Sequence, residues 1–151
     1  MPRSEARRIA VPDELQPRAA GDDASAFELP IGERRFLTPE QWARATFEGA
    51  PRLLGIFLAF GWRFVLGLRL GDKRSPHSIA GWRIAGSGPD SVTLEARSRL
   101  LEARHTVVVR GSVVMVVTVV HFERRLGRAL WAAAAPIHFR TIPYLLTGAG
   151  R

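Results

Sequence analysis

His105 stands in the row Leu101, Ala103, His105, Val107 and Val109, where every second residue but the histidine is apolar. An imidazole on such a face is either a hydrogen-bonded core group or one that binds, donates to or accepts from a ligand near neutral pH. His138 lies two helical turns beyond Trp131, on the helix side expected to meet a sheet. Two histidines without Asp, Glu or Cys in a ligand pattern make a poor metal site, so neither a metal nor a cofactor is expected. His121 and Glu123 share a parity opposite Val120 and Phe122 and read as a solvated face, while His77 sits in a polar loop. Trp82, Trp131 and Tyr144 are large amphipathic groups that can line a hollow and present a polar tip. Arg83, between Trp82 and Ile84, faces the other way, where Glu95 is a cross-strand partner.

Catalytic patterns are otherwise sparse. No nucleophile–base pair, paired carboxylates or phosphate loop can be traced, and Gly86-Ser87-Gly88 is too short to cradle a phosphate. The absence of cysteine excludes disulfides, thiolate metal sites and thiol catalysis, and it fits a reducing cytoplasm. A cyclase- or isomerase-like role, with His105, Tyr144 or an arginine polarising a carbonyl, is the enzymatic reading these residues allow. The chain leans away from it.

The net charge of +8 comes almost wholly from arginine, since Lys73 is the sole lysine. An Arg-, Ala-, Gly- and Val-rich composition matches a high-GC genome more simply than a nucleic-acid partner. Arg97, Arg99, Arg104 and Arg110, with Arg124, Arg125 and Arg128, form a basic surface for phosphates or an anionic membrane. The strands lack the interleaved aromatics of a single-strand platform, so nucleic acid is not the expected partner.

The elements that position these groups follow from periodicity. Residues 1–24 read as a polar, flexible arm, 25–147 as one domain and 148–151 as a frayed end. Residues 26–29 alternate and end at Pro30, which suits an edge strand. Thr38-Pro39-Glu40-Gln41 is a helix start with a capping box and proline at the first turn. Residues 53–70 approach the length of a membrane span, but Arg63 near the middle and Gly55, Gly61 and Gly67 oppose that reading. A buried helix bent near Gly61 is expected there, with peripheral membrane contact as the minor alternative. Period-two segments at 79–86, 91–97, 101–109 and 112–123 form a four-strand meander, with a parity flip at 98–100. After Arg125 the period returns to 3.6, in a long helix that Pro136 and Pro143 should kink.

Short strand, two helices, meander and long C-terminal helix resemble the helix-grip architecture of the START-like superfamily, which includes lipid-transfer and polyketide-cyclase-like proteins. More narrowly, the chain is similar to a family of short actinobacterial START-like proteins. Thr38-Pro39-Glu40-Gln41-Trp42, Gly49-Ala50-Pro51, Gly61-Trp62-Arg63, Gly81-Trp82-Arg83-Ile84, Phe122-Glu123-Arg124-Arg125 and Pro143-Tyr144-Leu145-Leu146 carry the resemblance. The expected fold is therefore α+β: a curved antiparallel sheet, made of an N-terminal edge strand plus the meander, packed around the C-terminal helix. Two helices are inserted after the first strand. The resemblance implies an apolar or amphipathic small molecule bound without catalysis between sheet and helix. Trp82, Ile84, Leu94, Ala96, His105, Val107, Trp131, His138 and Tyr144 are the expected lining.

Overall fold

The computed structural model describes residues 5–17, 19–32, 37–72 and 74–151. Its valine-rich centre is a pair of ten-residue strands, β6 (Leu101–Arg110) and β7 (Val113–Phe122), buried on both faces through residues 105–108 and 114–118. Strands buried on both faces read as near-continuous apolar runs, as the valines of residues 107–109 and 113–120 do. Around them the sheet runs β1-β2-β7-β6-β5-β4-β3, every neighbour antiparallel. The outer members are β1 (Arg7–Ile9), β2 (Asp23–Pro30), β3 (Ser78–Ile79), β4 (Trp82–Ser87) and β5 (Ser91–Arg97). Two helices, α1 (Pro39–Phe47) and α2 (Arg52–Phe60), follow β2, and α3 (Arg125–Ala149) closes the chain. This is the helix-grip arrangement expected: an open antiparallel meander with two inserted helices and a long C-terminal one.

Two details of the sheet differ from the sequence reading. A further strand, β1, pairs outside β2 through Arg7–Glu28, Arg8–Phe27 and Ile9–Ala26, so residues 26–29 do not form the sheet edge. Residues 79–86, read as one strand, are split between β3 and β4 by a tight turn at Ala80-Gly81, whose φ angles are 51° and 87°. Positive φ at both central residues is the geometry of a two-residue hairpin, usually signalled by Asn-Gly or Asp-Gly. Ala80 gives no such signal.

Register decides which side chains face the helices. His105 pairs with Leu94 on β5 and Thr118 on β7, Val107 with Val92 and Val116, and Ala103 with Ala96 and Val120. Directly paired residues share a face, so these form one apolar concave surface. The opposite face carries Glu95, Glu102 and Arg104, and Arg83 is ion-paired with Glu95 across the β4–β5 hairpin.

Helix α1 starts as its sequence demands. Gln41 N–H donates to Thr38 Oγ1 at 3.1 Å, and Thr38 N–H donates to Gln41 Oε1 at 2.9 Å. Its Trp42 and Ala43 are fully buried on β5 and β6. Helix α3 runs unbroken through Pro136 and Pro143, and its Ala149 is still buried. The reading of residues 53–70 as a buried helix is corrected. The helix stops at Phe60, gives way to a π-helical turn at Gly61–Val65, and buries none of its own residues. In place of the expected bend or break, the change to π-helical bonding falls at Gly61 with the backbone still helical, and α1 and α3 already cover the concave face and leave α2 no sheet to bury against.

The start of α3 is docked on the β5–β6 turn, where Leu100 carbonyl accepts from Glu123 N–H at 2.9 Å and Arg124 N–H at 3.2 Å. Gly127 permits this approach, since a Cβ there would overlap the same carbonyl oxygen. Gly127→Ala should destabilise the fold by about 1–3 kcal/mol. Gly55→Ala, in open space inside α2, should stabilise it by about 0.5–1 kcal/mol. Urea unfolding of the two variants measures both signs.

Candidate functional site

His105 sits at the middle of the concave face because the β6 alternation puts it there, and it is buried to 4 % exposure. Its Nδ1 is 2.9 Å from Thr118 Oγ1 on the neighbouring strand, a bond that satisfies one ring nitrogen inside the core. Aromatic rings enclose the rest: Phe47 at 5.0 Å and Trp82 at 4.5 Å between centroids. The His138 ring, projecting from α3, stacks at 5.9 Å with the planes only 13° apart. Trp131 lies 5.1 Å from His138 and donates its indole N–H to Asp23 Oδ2 at 2.6 Å.

Between this cluster, the end of α1, the α2–π segment and α3 lies a cavity of about 320 Å³. Phe57, Leu58, Phe60, Trp62, Val65 and Leu66 form one wall; Ala134, Ile137, Ile142 and Leu145 of α3 form the other. His105, His138, Trp62, Trp131 and Thr141 carry the polar side-chain atoms, and among the described residues no charged side chain lines the space. Nε2 of His138 is buried without a hydrogen-bond partner among the described residues, as is the Trp82 indole N–H behind His105. Burial holds His105 down to about 3, with His138 adding to the effect. Burial likewise lowers His138 to about 4, opposed by Asp23 and reinforced by Arg8. Both imidazoles are therefore neutral at neutral pH, each able to donate one hydrogen bond and accept another.

The structure places the nine expected residues in three groups. His105, Trp131 and His138 line the cavity, and Trp82 stands directly behind His105. Leu94, Ala96 and Val107 are buried in the concave face and Ile84 is half-buried beside Leu94, with none of them on the cavity wall. Tyr144 is 57 % exposed, away from it. Sequence reading missed Phe47, Trp62 and the outer wall from Phe57 to Leu66. Their apolar character was visible, but their position depends on how the π-helical turn folds back.

A second hollow, about 610 Å³, lies on the convex face beneath residues 14–17 and Ala19. Its charged walls are mutually satisfied: Glu14 pairs with Arg110, Asp22 with His121 at 2.7 Å, and Arg104 with Glu102 at 3.6 Å. The Asp22 hydrogen bond raises His121 above the ordinary histidine value. With its charges already paired, this hollow is the weaker candidate despite its size. Among the described residues no group of three His, Asp or Glu is placed to hold a metal ion, and no helix is long and apolar enough to cross a membrane.

An open antiparallel sheet with two inserted helices, gripping a long C-terminal helix, defines a helix-grip-like domain. The chain belongs to the family described as "Protein of unknown function (DUF2867)", whose model matches residues 7–144. No curated protein and no solved structure matches it.

The two lowered histidines set a pH dependence. Because their folded values lie below the unfolded one, their contribution is intact above about pH 6.5 and is lost as pH falls toward 4. Each should cost about 1.4 kcal/mol of stability per pH unit within that window. His121 has the opposite sign, its contribution fading as pH rises through its elevated value. Urea unfolding at pH 7, 6 and 5 should show a shallower acid slope in the His105→Phe, Thr118→Val double variant than in the parent.

Proposed function

We propose that this protein binds a hydrophobic or amphipathic small molecule, without transforming it, in the cavity walled by α3 and the α2–π segment, with His105 of the sheet beside it. The observation that carries the reading is a largely apolar space of about 320 Å³ bordered by His105 and by His138, whose Nε2 is buried without a hydrogen-bond partner among the described residues. A buried nitrogen left unpaired costs about 1–3 kcal/mol, which a ligand hydroxyl or carbonyl would recover. Apolar burial at about 25 cal/mol per Å² supplies the affinity, and the histidine sets orientation. The volume is at the lower end of ligand sites, about 300–1,000 Å³, so a compact ring system fits better than a long acyl chain. The resemblance to START-like proteins, whose ligands lie between sheet and C-terminal helix, supports the same location. Within this reading His105, Trp131 and His138 contact the ligand, and Trp82, Leu94, Ala96 and Val107 support them from the sheet.

Native mass spectrometry of freshly purified protein should reveal a bound small molecule, and the neutral dye N-phenylnaphthylamine should bind and gain fluorescence. Ala134→Trp, which fills the space from α3, should abolish dye binding while leaving the circular dichroism unchanged. Dye binding of undiminished affinity in that variant, with no molecule carried through purification, would refute the proposal. His138→Leu should keep the apolar dye but lose about tenfold in affinity for a carbonyl-bearing analogue of similar size.

A further inference from the structure

Helix α2 is amphipathic in reverse. Leu53, Ile56, Phe57 and Phe60 recur at i, i+3, i+4 and i+7, and Phe64 extends the stripe one turn further. Such a stripe ordinarily faces a core, yet here it faces outward, with Leu53 81 % and Phe64 73 % exposed. Contiguous exposed apolar surface of this kind marks an interaction site. The charge around it is of one sign. No acidic residue occurs between Glu48 and Asp72, while Arg52, Arg63 and Arg69 are all exposed. Their side chains make no ion pair with a described residue.

We propose that the α2–π segment docks on the surface of a bilayer containing anionic phospholipid. The apolar stripe would enter the acyl boundary while the arginines meet phosphate oxygens, to which guanidinium binds bidentately. Charge complementarity selects this occupant. A second copy of the chain, joined through the same face, would oppose Arg52 and Arg63 to their equivalents with no acid on either side to offset them. A nucleic acid would be served by the arginines and the phenylalanines but gains nothing from Leu53 and Ile56 inserted between them. The inference goes beyond the cavity reading and does not depend on it. Leu53 and Phe64 do not line the cavity, whereas Phe57, Phe60 and Val65 border both.

The test is co-sedimentation with vesicles of phosphatidylcholine mixed with phosphatidylglycerol, against vesicles of phosphatidylcholine alone. The parent protein should partition to the mixed vesicles and only weakly to the neutral ones. Leu53→Ser with Phe64→Ser should reduce partitioning by roughly a hundredfold, with melting and N-phenylnaphthylamine binding as in the parent. Arg52→Gln with Arg63→Gln should remove the preference for anionic lipid. Three results would each overturn the proposal: no partitioning of the parent at low salt, partitioning unchanged by the serine pair, or a parent dimer in solution that the serine pair converts to monomer. The arginine pair lies wholly at the surface and provides an independent readout if the serine pair fails to fold.

Discussion

A buried imidazole is tolerated when it stays neutral and finds a hydrogen-bond partner, and at the centre of this sheet burial secures the first condition and one contact the second. Thr118 Oγ1 meets His105 Nδ1 across the β6–β7 ladder, at a position that register makes directly opposite. The rings of Phe47, Trp82 and His138 then gather around His105, and Trp62 meets Trp82 edge-on at 5.4 Å. Flat rings of this size do not tile the gap between a curved sheet and a helix as branched aliphatics would. Where they stop, at Leu66 on one side and Ile142 on the other, the cavity begins.

The α3 helix reinforces that outcome. Its small residues, Ala133, Ala134 and Ala135, bring little side-chain volume to the layer, and Gly127 fixes how closely its first turn approaches the sheet. At the other end, Thr147 Oγ1 accepts the Ala6 N–H at 2.9 Å, and the Arg8 guanidinium lies 4.3 Å above the Phe139 ring. The helix is therefore held at both ends while its middle spans an incompletely filled space. Prolines at 136 and 143 each withdraw the donor to the carbonyl four residues earlier, at Ala132 and Phe139, yet the helix continues through both.

Local rules carried the reading where one residue's chemistry decided the structure. Thr38 and Gln41 announce their capping box; the alternation from Val92 to Ala96 and from Leu101 to Val109 gives both strands and the turn between them. The same parity argument set His105 on the helix-facing side of the sheet. What stayed hidden depended on distant partners. Ala80 adopts a positive φ only because the β3–β4 hairpin closes around it, and nothing in its side chain marks that. Arg7–Ile9 is too short and too charged to signal a strand, and it forms one by pairing with an edge that β2 already offers. For residues 53–60 the helical period was legible, but periodicity says which residues share a face and not whether anything covers it.

That last ambiguity bears on how the segment works. Along α2 and its π-helical continuation, one side carries Leu58, Trp62 and Leu66 toward the cavity and the other carries Leu53 and Phe64 to solvent. A wall that is apolar on both sides is unstable against water on its outer face but well suited to a nonpolar medium there. The π-helical turn at Gly61–Val65 continues α2 with poorer hydrogen-bond geometry over a single turn, and along it Phe64 stays exposed while Leu66 is buried. One short stretch thus closes a cavity with Leu58, Trp62 and Leu66 while presenting Leu53 and Phe64 to solvent on its other side.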